Sequence, residues 1–117
     1  MDSGVPARAI MVVALLIAGG CDQASSDLAT IKTARSLAAE RALVARLNAQ
    51  NKLRPAYSQG MQRGGVEQIV AARSQLSQPN GSAGQMIGAV AALPDDSGPL
   101  WRGAHRLAAV EAQRENH

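Results

Sequence analysis

The chain has 117 residues, a single cysteine, no phenylalanine and a net charge of +3. That length allows one domain, and a lone Cys21 excludes an internal disulfide and any cysteine-based metal cage. From Cys21 onward the large aliphatics (nine Leu, three Ile, five Val) are just under a fifth of 97 residues, which predicts a thin core and leaves disorder as a competing reading.

The first eight residues are polar and end on Arg8, and an apolar run from Ala9 to Ala18 follows, closed by Gly19-Gly20-Cys21. A short cationic start, a brief apolar stretch and small residues before a cut are the layout of an export signal. The run is about half the ~20 residues that a membrane-spanning helix requires. Ile17-Ala18-Gly19-Gly20-Cys21 resembles the lipobox of bacterial lipoprotein precursors. The resemblance implies cleavage between Gly20 and Cys21, with Gly19 as the small residue ahead of the cut. It also implies a diacylglyceryl group on the Cys21 thiol. Asp22 directly after the cysteine resembles the signal that retains lipoproteins in the inner membrane of enteric-type bacteria. Two other readings stay open: an ordinary secretory signal that releases a soluble protein, and a cytosolic protein with an apolar N-terminal helix.

Beyond Cys21 the pattern is helical throughout, and the fold class it predicts is all-α, a small bundle of three or four helices. Residues 21–27 read as lipidated cysteine and flexible tether, and 28–117 as the helical region. Asp27 stands where an N-cap belongs, and no Gly or Pro interrupts Leu28 to Leu53. Pro55 should stop that helix near Arg54. Leu28, Ile31, Ala38 and Ala42 share one side of it, and Leu37, Val44 and Leu47 lie nearly opposite. Two thin stripes predict contact with more than one neighbour, or a helix that swaps partners. Tyr57 to Gly65, with three glycines in nine residues, reads as a connector. A second helix over Val66–Ser77 would bury Val66, Ile69, Val70 and Leu76, interrupted by Arg73. After the turn Gln78-Pro79-Asn80-Gly81, Ser82 and Gln85 suggest a capping box opening a short helix with Met86, Ile87, Val90 and Leu93 inward. Pro99 suits the first position of a last helix towards Arg114, burying Leu100, Ala104, Leu107 and Ala108.

Charge is uneven. Between Leu28 and Arg63 there are seven cations against the single anion Glu40. Lys32, Arg35, Arg41, Arg46, Lys52 and Arg54 are therefore candidates for binding an anionic surface, whether lipid headgroups, a cell-wall polymer or an acidic partner. A solvated helix, its arginine stems lying over alanines, accounts for the same residues. Nucleic acid is disfavoured by the export signal and by having only Tyr57 and Trp101 for stacking, and Trp101 reads as a core or edge anchor.

Catalysis lacks an inventory. His105 and His117 are the only histidines and have no metal spacing; Asp95-Asp96 reads as loop and helix cap. The serines have no nucleophile-elbow context, and Gly81-Ser82-Ala83-Gly84 lacks the lysine and strand of a phosphate loop. No cofactor or small-molecule substrate is expected. The sequence reading is thus a lipid-anchored cell-envelope protein on the periplasmic or extracytoplasmic face, acting as a small helical interaction or scaffold module. The alternatives are a structural spacer, a lysis-type envelope subunit, or a soluble secreted helical protein.

Overall fold

The computed structural model describes residues 23–116, and Gly19, Gly20, Cys21 and Asp22 lie outside them. Four α-helices, with no strand among the described residues, follow in order: α1 (Gln23–Ala49), α2 (Pro55–Ser74), α3 (Ser82–Ala91) and α4 (Ser97–Glu115). The all-α expectation therefore holds. Cross-helix bonds give the course of the chain. Asp27 meets Ser77 while Arg41 meets Gln62, so α1 and α2 run antiparallel. Arg35 meets Glu111 and Lys32 meets Glu115, so α4 is also antiparallel to α1. Arg41 reaches the carbonyls of Val90 and Leu93 at the far end of α3, which therefore runs with α1. Each helix packs on its sequence neighbour and α1 closes the ring against α4. This is an up-down-up-down bundle. Its lower end holds the start of α1, the α2–α3 turn and the end of α4; its upper end holds the α1–α2 and α3–α4 turns.

The core is as thin as the composition implies. Ile31, Ile69, Ile87, Leu100 and Leu107 are its largest fully buried side chains, and eight of the sixteen buried hydrophobic residues are alanines. Alanine lets helix axes approach closely but contributes little apolar area of its own. Both stripes of α1 are used. Ile31, Ala38 and Ala42 are buried in the bundle, while Val44 is buried and Leu37 half-buried on the flank that faces α2.

Several boundaries differ from the sequence reading. Residues 23–27, expected as tether, are the first turns of α1. Asp27 is not a cap; its buried carboxylate instead accepts from the Ser77 backbone N–H at 3.0 Å and from the Ser77 hydroxyl. The first helix ends at Ala49, not near Arg54. Asn51 adopts the left-handed conformation (φ 58°), its N–H bonds the Asn48 carbonyl at 3.0 Å, and the Lys52 N–H bonds Leu47 at 2.9 Å. That pair of bonds is a Schellman termination. Pro55, expected to stop one helix, starts the next one, with Arg54 extended before it as its N-cap, as the residue before proline must be.

The expected connector Tyr57–Gly65 is helical. Its buried positions Ser58 and Gln62 continue, one seven-residue step on, through Ile69, Ala72 and Leu76, an inward stripe at helical spacing whose first part is polar. Val70, expected inside, lies off that stripe and is 54% exposed. No capping box forms at Ser82. Gly81 is the N-cap without a side-chain bond, and the Gln85 amide donates to the Asn80 carbonyl at 3.1 Å. The last helix begins two residues before Pro99. Its cap is Asp96, whose carboxylate accepts from the Gly98 N–H. Leu100, Ala104 and Leu107 are buried as expected.

Candidate functional site

The fold gives the six candidate cations different surroundings. Lys32 pairs with Glu115 at 3.3 Å and Arg35 donates to Glu111 at 2.6 Å. The sequence reading missed these acids as partners because 76 residues separate Arg35 from Glu111.

Arg41 is withdrawn from the surface altogether. Its side chain is 2% exposed. The guanidinium donates to Gln62 Oε1 at 2.9 Å, to the Val90 and Leu93 carbonyls at 3.4 and 3.2 Å, and to Asp95 Oδ1 at 2.8 Å. Gln62 returns a bond from its amide to the Arg41 carbonyl at 2.9 Å. A buried charge persists only when paired and hydrogen-bonded, and Arg41 is satisfied by groups from α2, α3 and the α3–α4 turn. Gly65 makes room for it: a Cβ there would lie 2.8 Å from Arg41 Cγ. Arg41 is a structural cation, which corrects its assignment to an anionic-surface site. Its stem lies where α1 meets the stretch expected to be a connector, so the sequence carried no signal for its burial.

Arg46, Lys52 and Arg54 remain. All three are exposed, and none has an ion-pair partner among the described residues. They share one corner of the upper end, with Arg46 in the last turn of α1 and the other two in the α1–α2 turn. Tyr57, 57% exposed, follows in the first turn of α2. Of the acids towards this end, Asp95 is engaged by Arg41 and Asp96 by the α4 cap, while exposed Glu40 has no ion-pair partner among the described residues.

The rest of the surface has less to offer chemistry. A polar cleft of about 330 Å³ opens at the lower end beside Asp27, Ser77, Gly81 and Arg114. Asp27 is already held by Ser77, and Arg114 Nη1 stands 3.9 Å from the same carboxylate. His105 stacks loosely against the edge residue Trp101, with ring centroids 6.4 Å apart, and Trp101 is 38% exposed. No three His, Asp or Glu residues among those described gather as a metal ion requires, and no described helix is long and apolar enough to cross a membrane. Compared with known proteins, the chain matches no family model, no curated sequence and no solved structure.

Proposed function

We propose that the protein is a lipid-anchored envelope protein whose helical bundle is a small interaction module held at the membrane by Cys21. The observation that carries this reading is the run Ile17-Ala18-Gly19-Gly20-Cys21 directly after the apolar stretch Ala9–Ala18. Gln23 is already within α1, and two residues reach at most about 7 Å, so an acyl group on Cys21 would hold the lower end of the bundle close to the lipid. Two or three acyl chains hold far more firmly than one, since each buried CH₂ adds about 0.8 kcal/mol.

Cys21→Ser tests the reading directly. Metabolic labelling with a fatty acid is expected to mark the wild-type protein and not the variant, and the variant is expected to leave the membrane fraction. An intact mass of the mature wild-type protein beginning at an unmodified residue 21 would overturn the anchor.

A further inference from the structure

The two ends of the bundle differ in how their charge is used. At the lower end Lys32, Arg35 and Arg114 each face an acid of another helix. At the upper end Arg46, Lys52 and Arg54 face none among the described residues, while Asp95 and Asp96 serve internal bonds. A folding requirement accounts for part of this at most. Arg46 in the last turn of α1 complements the negative end of the helix dipole, but Lys52 and Arg54 lie outside any helix.

Resting on the anchored reading above, we propose that this corner, residues 46–57, is a docking surface for an acidic segment of another envelope protein, presented away from the protein's own membrane. Distance argues for that direction. From Gln23 to Arg46, α1 rises about 35 Å at ~1.5 Å per residue. A bilayer at the lower end would then lie several Debye lengths from the corner, each being about 8–10 Å in physiological salt. Composition argues for a protein. Half-buried Leu53 and exposed Tyr57 sit among the three cations. Tyrosine and arginine are enriched in protein interfaces, whereas a purely electrostatic contact with a charged polymer needs no apolar group. The arginine guanidinium matches carboxylates with two parallel bonds. The corner is also preorganised. The Schellman bonds at Asn51 and Lys52 and the fixed φ of Pro55 hold its backbone, which lowers the ordering cost of binding.

The test uses the full protein purified from membranes in a neutral detergent, with a fluorescein-labelled peptide rich in Glu with interspersed Leu as probe. Changing Arg46, Lys52 and Arg54 together to Gln is expected to weaken binding about tenfold, as the loss of three exposed ion pairs would. Changing Lys32, Arg106 and Arg114 to Gln removes the same charge elsewhere and is expected to change binding less than twofold. Circular dichroism checks the fold of each variant. Lys52→Glu alone, in the turn, repeats the test if the triple variant unfolds. Equal weakening by both triple variants would reduce the effect to net charge and overturn the surface. So would tighter binding to phosphatidylglycerol vesicles than to the peptide through the same three residues, which would turn the corner toward lipid. The mass of the Cys21 segment separates the two proposals. An acylated Cys21 with peptide binding indifferent to the upper-end changes overturns the docking surface alone, and an unmodified Cys21 overturns the anchor.

Discussion

Glycine shows how a single residue type is read differently at each place in this bundle. A Cβ on Gly60 or Gly64 meets nothing within 4 Å, so neither glycine is needed for packing within the chain. In a helix interior each costs about 1 kcal/mol relative to alanine. Gly60→Ala and Gly64→Ala are therefore expected to stabilise the protein by about 1 kcal/mol each, read as a higher urea midpoint with unchanged slope. Gly65 and Gly84 are the opposite case. At Gly65 the stem of Arg41 occupies the space, and at Gly84 a Cβ would fall 1.7 Å from the Pro79 carbonyl oxygen. Gly84→Ala must push the α2–α3 turn off the start of α3, and a loss of about 3 kcal/mol is expected, in line with overpacking of a closed site. Urea midpoints that move the same way for all three substitutions would contradict this assignment of space.

At the scale of the element, the ends of the helices rather than their middles carry the information. Helix α1 ends at Ala49 because Asn51 takes a left-handed conformation, a geometry open to Asn and Gly and poorly tolerated by β-branched residues. Asn51→Gly is expected to leave stability unchanged or raise it slightly, while Asn51→Val is expected to cost about 1–3 kcal/mol. Thermal melts of the two variants decide it, since about 1 kcal/mol moves the midpoint by roughly 4–8 °C in a domain of this size. Equal melting of Asn51→Val and Asn51→Gly would show that the turn re-forms without the left-handed residue. Arg73 has a comparable role at the end of α2. Its guanidinium donates to the Pro79 carbonyl at 2.9 Å and lies over Gly88, so the charge that interrupted an apolar pattern ties the helix to the turn that follows.

For the whole molecule, Arg41 holds together more of the bundle than any other polar residue described. Its bonds join α1 to α2, to the end of α3 and to the α3–α4 turn. Arg41→Leu keeps the helix but strands Gln62 Oε1 and the Leu93 carbonyl, while the Val90 carbonyl keeps the Leu93 N–H. A buried acceptor left without its partner costs about 1–3 kcal/mol, so a loss of about 3 kcal/mol is expected. Asp95→Asn is expected to cost less than about 1 kcal/mol, because that carboxylate is 59% exposed and screened by water. Equilibrium urea unfolding of both variants checks the contrast, and near-equal losses would place the stabilisation in the ion pair instead of the buried bonds. With half of its buried hydrophobic residues alanine, the core has little surplus to absorb that loss.

The local chemistry of the chain determined a good deal. A stretch from Leu28 free of Gly and Pro and dominated by Ala, Leu, Arg and Glu made a helix there unavoidable, the two stripes on that helix implied more than one neighbour or a change of partner, and Asp96 before Ser97 marked a cap. These features depend on residues a turn or less apart, so they are legible along the chain. Tertiary structure alone decided the fate of the glycine-rich stretch Tyr57–Gly65. Its helix is sustained by burial of Ser58 and Gln62 and by Arg41 filling the space over Gly65, all contacts with residues that local propensity does not see. The same holds for the candidate site. Six basic residues look equivalent in sequence, yet Lys32 and Arg35 are paired across the bundle, Arg41 is buried, and Arg46, Lys52 and Arg54 are left facing solvent. A formal charge is a property of one residue, but its availability depends on which distant acid or carbonyl the fold brings within about 3 Å.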